Sequence, residues 1–142
     1  MPVVATLSLV AQAADLGQVR QFIEGATEML GLDSETTAHM RMAVDEAVTN
    51  VLEHGYHNQP GRLELNICRE QTDVIIYLSD EAPVFDPTQV PPPDLSIPAP
   101  LRPPGGMGLH FIRQALDELQ HEALPDGGNR LIMIWRNVAP EA

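Results

Sequence analysis

Apolar and polar residues recur along this chain with two different periods, and the period changes at glycines, prolines and capping residues. Val3 to Val10 is short, apolar and β-branched, which predicts a strand. Leu16, Val19, Phe22, Ile23, Ala26, Met29 and Leu30 then recur at helical spacing, with Asp15 offered as N-cap and Gly31 as the stop. Asp33 or Ser34 opens a second helix, whose stripe is Met40, Ala43, Val44, Ala47, Val48 and Val51. Gly55 and the turn Asn58-Gln59-Pro60-Gly61 end it.

Two strands follow. Leu63, Leu65 and Ile67 alternate with Glu64, Asn66 and Cys68, and Val74 to Leu78 is a continuous apolar run, with a hairpin turn expected between Glu70 and Asp73. A third helix is expected beyond Gly105, carrying Leu109, Ile112, Leu116 and Leu119. Strands near Glu122 to Leu124 and from Arg130 to Arg136 close the chain, joined by Asp126-Gly127-Gly128. The order β-α-α-β-β-loop-α-β-β predicts an α+β fold in two layers, a mixed and mostly antiparallel sheet against three helices. At 142 residues one domain, 1–142, is the expectation.

Composition sharpens this outline at two places. Nine of the 13 prolines lie between Pro83 and Pro104, so residues 87 to 104 are neither helix nor inner strand. A long ordered loop, a lid or a disordered stretch is expected there. The eight cationic side chains are all Arg, against 20 carboxylates, for a net charge of -12. Nucleic acid and acidic membrane surfaces are therefore poor partners. No apolar run is long enough to span a bilayer, and the first ten residues lack a basic leader, so a cytoplasmic location is expected. Cys68 is the single cysteine and reads as a buried, inert thiol.

The chemistry-bearing residues fall in a definite order. Glu46 and Asn50 stand four apart on the second helix and share a face bordering its apolar stripe. An amide oxygen suits a hard cation, and a carboxylate can take a proton from a hydroxyl or water. Leu78-Ser79-Asp80 brings a second carboxylate to a strand end. Gly105-Gly106-Met107-Gly108-Leu109 then opens a helix, where clustered glycines expose backbone N–H groups to phosphate. His54 and His57 are three apart, but Gly55 breaks the helix between them, so a polar helix end is the reading rather than a metal site. His121 is read near the end of the third helix, where a cation suits the dipole.

This order resembles the GHKL ATPase superfamily with its Bergerat fold, and most closely the stand-alone serine-protein kinases that act as anti-sigma factors. Asp45-Glu46-Ala47-Val48-Thr49-Asn50-Val51-Leu52-Glu53-His54-Gly55-Tyr56 resembles the family's N-box, and Val84-Phe85-Asp86-Pro87 the end of its G1 region. Gly105 to Leu109 resembles the G2 region, and the loop before it, about 87–106, the ATP lid. The resemblance implies ATP and Mg²⁺ as cofactors. It implies Asn50 as the Mg²⁺ ligand, Glu46 as general base towards a protein serine, and Asp80 as acceptor from the adenine amino group. Gly105, Gly106, Gly108 and Leu109 would line the phosphates, and Arg102 would reach them from the lid. It also implies a sigma factor and an anti-sigma factor antagonist as partners, and a homodimer.

Three positions depart from the family pattern. Ala82 and Val84 stand where glycines are common, and no Thr occurs from Leu131 to Ile134, where Met133 is expected beside the adenine pocket. These departures motivate a second reading, a non-catalytic module that keeps the fold and sequesters a protein partner.

Overall fold

A computed structural model describes residues 2–102 and 107–141. Strand β1 (Val3–Ala11) leads through a short 3₁₀ turn into helix α1 (Leu16–Met29), followed by helix α2 (Ser34–Asn50). Strands β2 (Gly61–Glu70) and β3 (Asp73–Asp80) form a hairpin across Gln71 and Thr72. Helix α3 (Met107–Ala115) precedes a second hairpin of β4 (Glu118–Ala123) and β5 (Asn129–Trp135). The five strands lie in the order β1-β2-β3-β5-β4, and every pairing is antiparallel rather than mixed. β5 thus inserts between β3 and β4, and the chain crosses over it through the proline-rich segment and α3.

The helices cover one face of this sheet. Alternation sends Leu63, Leu65 and Ile67 of β2, Val74, Ile76 and Leu78 of β3, and Leu131, Met133 and Trp135 of β5 beneath them. Val19, Ile23 and Ala26 of α1, Met40, Ala43, Val44, Ala47 and Val48 of α2, and Ile112 and Ala115 of α3 meet these strands. The same period of two carries Asp80 and Asn129 under the helical layer at one end of the sheet. On the opposite face Cys68, Ile75 and Ile132 form a smaller apolar cluster with Tyr77 and Ile134, and burial pushes the Cys68 thiol up, away from reactivity.

Local chemistry explains most element ends. Asp33 caps α2, its carboxylate accepting from the Thr36 N–H at 2.7 Å. Gly31 closes α1 with a positive φ of 71°, and the Gly31 and Leu32 N–H groups return to the Glu28 and Thr27 carbonyls. Asp15 stands at the N-cap position of α1, but its side chain makes no cap hydrogen bond there. It closes the preceding 3₁₀ turn, its carboxylate accepting from the Gln12 N–H at 2.9 Å. α2 runs on into a π-helical turn, Val51–Gly55, before the chain leaves the helix.

α3 is shorter than the leucine spacing suggests. The Trp135 indole N–H donates to the Ala115 carbonyl at 2.7 Å, and the Asp117 N–H joins the Ile134 carbonyl at 3.0 Å. Sheet bonds therefore take over where the helix ends, and Leu119 lies in β4 opposite Met133. Among the described residues no helix is long and apolar enough to cross a membrane.

Gly128 supplies a test of the β4–β5 turn. Its φ is 97°, and a Cβ there would stand 2.1 Å from the Asp80 carbonyl oxygen. Gly128→Ala is expected to cost more than about 2 kcal/mol of unfolding free energy, measured by urea titration. Gly25→Ala, with open space around it in the middle of α1, is the control and should stabilise by about 0.5–1 kcal/mol.

Candidate functional site

The free end of the buried sheet face does not fill with side chains. Between it, α2 and α3 lies a cavity of about 670 Å³. Its walls are largely apolar, with Ala47, Val51, Ala82, Val84, Leu109 and Ile112 among them, and Asn50, His54, His57, Asp80, His121 and Asn129 are its polar members. An apolar slot with a few fixed polar groups suits a planar organic ligand.

Asp80 is the most deeply placed carboxylate, 6% exposed. Its Oδ1 accepts from the Ala82 N–H at 2.9 Å and from the Asn129 side-chain amide at 3.0 Å. Burial pushes its carboxyl above the usual range, and the donors from Asn129 and Ala82 together with the nearby His121 pull it back. Among the described residues no side chain donates to Oδ2.

Asn129 was not legible as a site residue. It begins β5 directly opposite Asp80, and five groups converge on its side chain. Its amide nitrogen also approaches the Ala82 and Pro83 carbonyls, while its oxygen accepts from the Phe85 N–H at 2.9 Å and lies 2.7 Å from His121 Nε2. His121 is in β4 rather than at a helix end, and its ring is nearly buried, with Nδ1 3.8 Å from Asp86 Oδ1. Met133 does not reach the cavity; it is fully buried in the core opposite Ile76.

The loop after Asp80 takes shape without glycine. Neither Ala82 nor Val84 adopts a positive φ. Ala82 is buried, and the space it needs comes from Gly55, where a Cβ would lie only 2.8 Å from its own. Tyr56 fastens the loop from the other side, its hydroxyl accepting from the Glu81 N–H and donating to the Arg62 carbonyl, each at 2.7 Å.

On the α2 wall, Asn50 lines the cavity, and Glu46 sits one turn earlier on the same face, partly buried. Gly108 is where α3 touches them. A Cβ on Gly108 would stand 3.0 Å from Glu46 Oε2 and 3.5 Å from Asn50 Oδ1, so the bare glycine keeps room between the two helices. Leu109 lines the cavity one residue further into α3, while Gly105 and Gly106 lie outside the described residues. His54 and His57 stand at the cavity mouth, with His57 at a φ of 52°, so they do not share a helix face.

Arg102 is turned to its own segment, its Nε donating to the Ile97 carbonyl at 2.8 Å, and it does not line the cavity. Arg113 of α3 is the second residue that sequence reasoning passed over. Its guanidinium donates to the Pro87, Thr88 and Val90 carbonyls at 3.0 to 3.1 Å. A proline-rich segment has carbonyls in excess of N–H groups, and an arginine fork supplies the missing donors. Asp86 and Asp94 make local turns with Thr88 and Ser96, and these hydrogen bonds hold both carboxyls below their usual range.

Comparisons with known proteins agree on this architecture. Residues 9–135 match the family described as histidine kinase-like ATPase domain. The chain is 25% identical over 131 residues to the serine-protein kinase RsbW of Bacillus cereus strain AH820, covering 89% of this chain and 81% of that protein. The serine-protein kinase RsbW of Bacillus anthracis strain A0248 is equally similar. The crystal structure of the RsbU and RsbW domains of a Mycobacterium tuberculosis protein superposes with a TM-score of 0.67 at 19% identity. That match covers 99% of this chain and 33% of the solved one, so the chain spans a third of its length and shares the fold.

The raised carboxyl of Asp80 has a thermodynamic consequence. A carboxyl that protonates more readily when folded opposes folding as pH rises above its unfolded value of 3.8 through its folded one. Asp80→Asn should therefore raise the unfolding free energy at neutral pH and flatten its decline above pH 3.8, read by denaturation at a series of pH values. Lower stability of the variant at neutral pH would contradict this.

Proposed function

The chain belongs to the family of histidine kinase-like ATPase domains, and on that footing we propose an ATP- and Mg²⁺-dependent serine-protein kinase that acts as an anti-sigma factor or a similar partner-switching regulator. Its substrate is a serine of a small antagonist protein; a sigma factor, that antagonist and a second copy of the chain are the partners this reading entails. The observation that carries it is the convergence of Asp80, Asn50 and Gly108 on one cavity with Glu46 beside Gly108.

The residues present fit the cofactors. The buried acceptor Asp80 Oδ2 and the apolar walls suit an adenine ring, and Asn50 and Glu46 are oxygen donors of the kind a hard cation takes. Asn50 is the residue that would hold Mg²⁺. Bound there, Mg²⁺ neutralises charge developing on the transferred phosphoryl group. With a net charge of -12 and no Lys, the chain depends on that cation and on N–H groups at the start of α3 to hold an anion.

The chain's own residues have separate tasks. Asp80 orients the base and Leu109 closes the slot above it. Gly108 leaves room for the Glu46 and Asn50 side chains beside the start of α3. Glu46 takes the proton of the incoming serine hydroxyl as its oxygen bonds to phosphorus and the bond to ADP breaks. Arg113 fixes the start of the proline-rich segment to α3, and that segment covers the nucleotide as a lid.

Two variants separate binding from chemistry. Glu46→Gln should bind ATP as the unmodified chain does and lose about 10²- to 10⁴-fold in phosphoryl transfer to the protein that co-purifies from the host. Asn50→Ala should weaken binding by calorimetry only when Mg²⁺ is present. No binding at millimolar ATP with Mg²⁺ would sink the kinase reading and leave the non-catalytic sequestering module. Gly108→Ala should also slow transfer, because its Cβ displaces the Glu46 carboxylate.

A further inference from the structure

The polar floor of the cavity is more than a carboxylate. Asn129, 8% exposed, has every hydrogen-bonding atom of its side chain engaged. On one side its nitrogen meets three acceptors, Asp80 Oδ1 at 3.0 Å, the Pro83 carbonyl at 3.2 Å and the Ala82 carbonyl at 3.4 Å. On the other its oxygen meets the Phe85 N–H, which can only donate, at 2.9 Å and His121 Nε2 at 2.7 Å. Reversing the amide would set its oxygen against a carboxylate and two carbonyls, so only one orientation is compatible with these partners. In that orientation His121 Nε2 is the donor.

This arrangement decides what the cavity offers a ligand. Asp80 Oδ1 is taken up by two donors, Ala82 N–H and the Asn129 amide. Only Oδ2 remains, and it can only accept while the carboxylate is ionised. Burial favours the protonated carboxyl, which would donate instead, and the Asn129 amide is the largest influence opposing that. The same side chain holds the loop 82–85, which has no glycine and no positive φ to set its course.

We propose that Asn129 is a positioning residue for base recognition: by holding Asp80 Oδ1 and the 82–85 loop in one arrangement, it presents Asp80 Oδ2 as an acceptor and so selects purines with a 6-amino group over purines with a 6-oxo group. A 6-amino group donates to Oδ2, whereas a 6-oxo group sets oxygen against oxygen. A site built around one hydrogen bond rejects the analogue lacking it because its own buried group is left unpaired. The inference rests on the reading of the cavity as an adenosine-nucleotide site.

The test is calorimetric titration of ADP and inosine diphosphate, with Mg²⁺, into the unmodified chain and into Asn129→Asp and Asn129→Ser. The unmodified chain should prefer ADP by about tenfold or more. Asn129→Asp faces Asp80 with a second carboxyl, and Asn129→Ser is too short to reach it. In each, the ADP-to-inosine preference should collapse towards unity, whatever the loss in thermal stability. A purely structural Asn129 would lower stability and leave the ratio unchanged, and an unchanged ratio in the folded variants overturns the inference while the nucleotide site stands. Equal affinity or a preference for inosine diphosphate in the unmodified chain overturns it without any variant. Failure of the unmodified chain to bind either nucleotide overturns the reading of the site, and this inference with it.

Discussion

A carboxylate that must sit out of water, yet keep one oxygen free, is the constraint around which this fold is arranged. Asp80 lies at the end of a central strand under the helical layer, where an uncompensated charge would be costly. The compensation is assembled from distant parts of the chain: Ala82 from the loop that follows, Asn129 from β5, and His121 from β4 through Asn129. The Asn129 donor depends on the sheet order, because only the insertion of β5 beside β3 puts Asn129 opposite Asp80. The apolar core beneath serves to hold that register.

The helices contribute by what they leave open. α2 and α3 meet at Gly108, where a missing methyl group lets the Glu46 and Asn50 side chains stand between them. Trp135 fixes the far end of α3 to the sheet, and Tyr56 ties the end of α2 to the loop after Asp80. The cavity is thus bounded by helices that are each fastened to the sheet layer at one end. Its polar groups then meet a ligand without first having to be ordered, which lowers the entropic cost of binding.

Most of the architecture was legible in the sequence because local signals agreed with one another. Apolar period, caps and stops gave three helices and five strands in order. The spacing of Glu46 and Asn50 gave their shared face, and Asp80 stood at the end of an apolar run. What was hidden is non-local. Asn129 reads as the first residue after a Gly-Gly turn, and nothing nearby says that its strand pairs with β3 as well as β4. Leu116 and Leu119 continue a helical spacing that sheet pairing overrides, which misplaced both the end of α3 and His121. Arg113 reads as one more surface cation until the carbonyls of Pro87, Thr88 and Val90 are found around it.

Arg113 has one more effect. Through it α3 grips the start of the proline-rich segment, and the segment returns to the chain at Met107, the first residue of the same helix. Both ends of the intervening stretch are therefore anchored to a single rigid body. For such a stretch the closure entropy grows only logarithmically with length, about 0.6 kcal/mol for each doubling. Insertions and deletions between residues 91 and 102 should thus be thermodynamically mild, whereas loss of the arginine would leave that end held chiefly by Val90 against the core. The reach of the segment can therefore change at little cost in stability, provided Arg113 is kept.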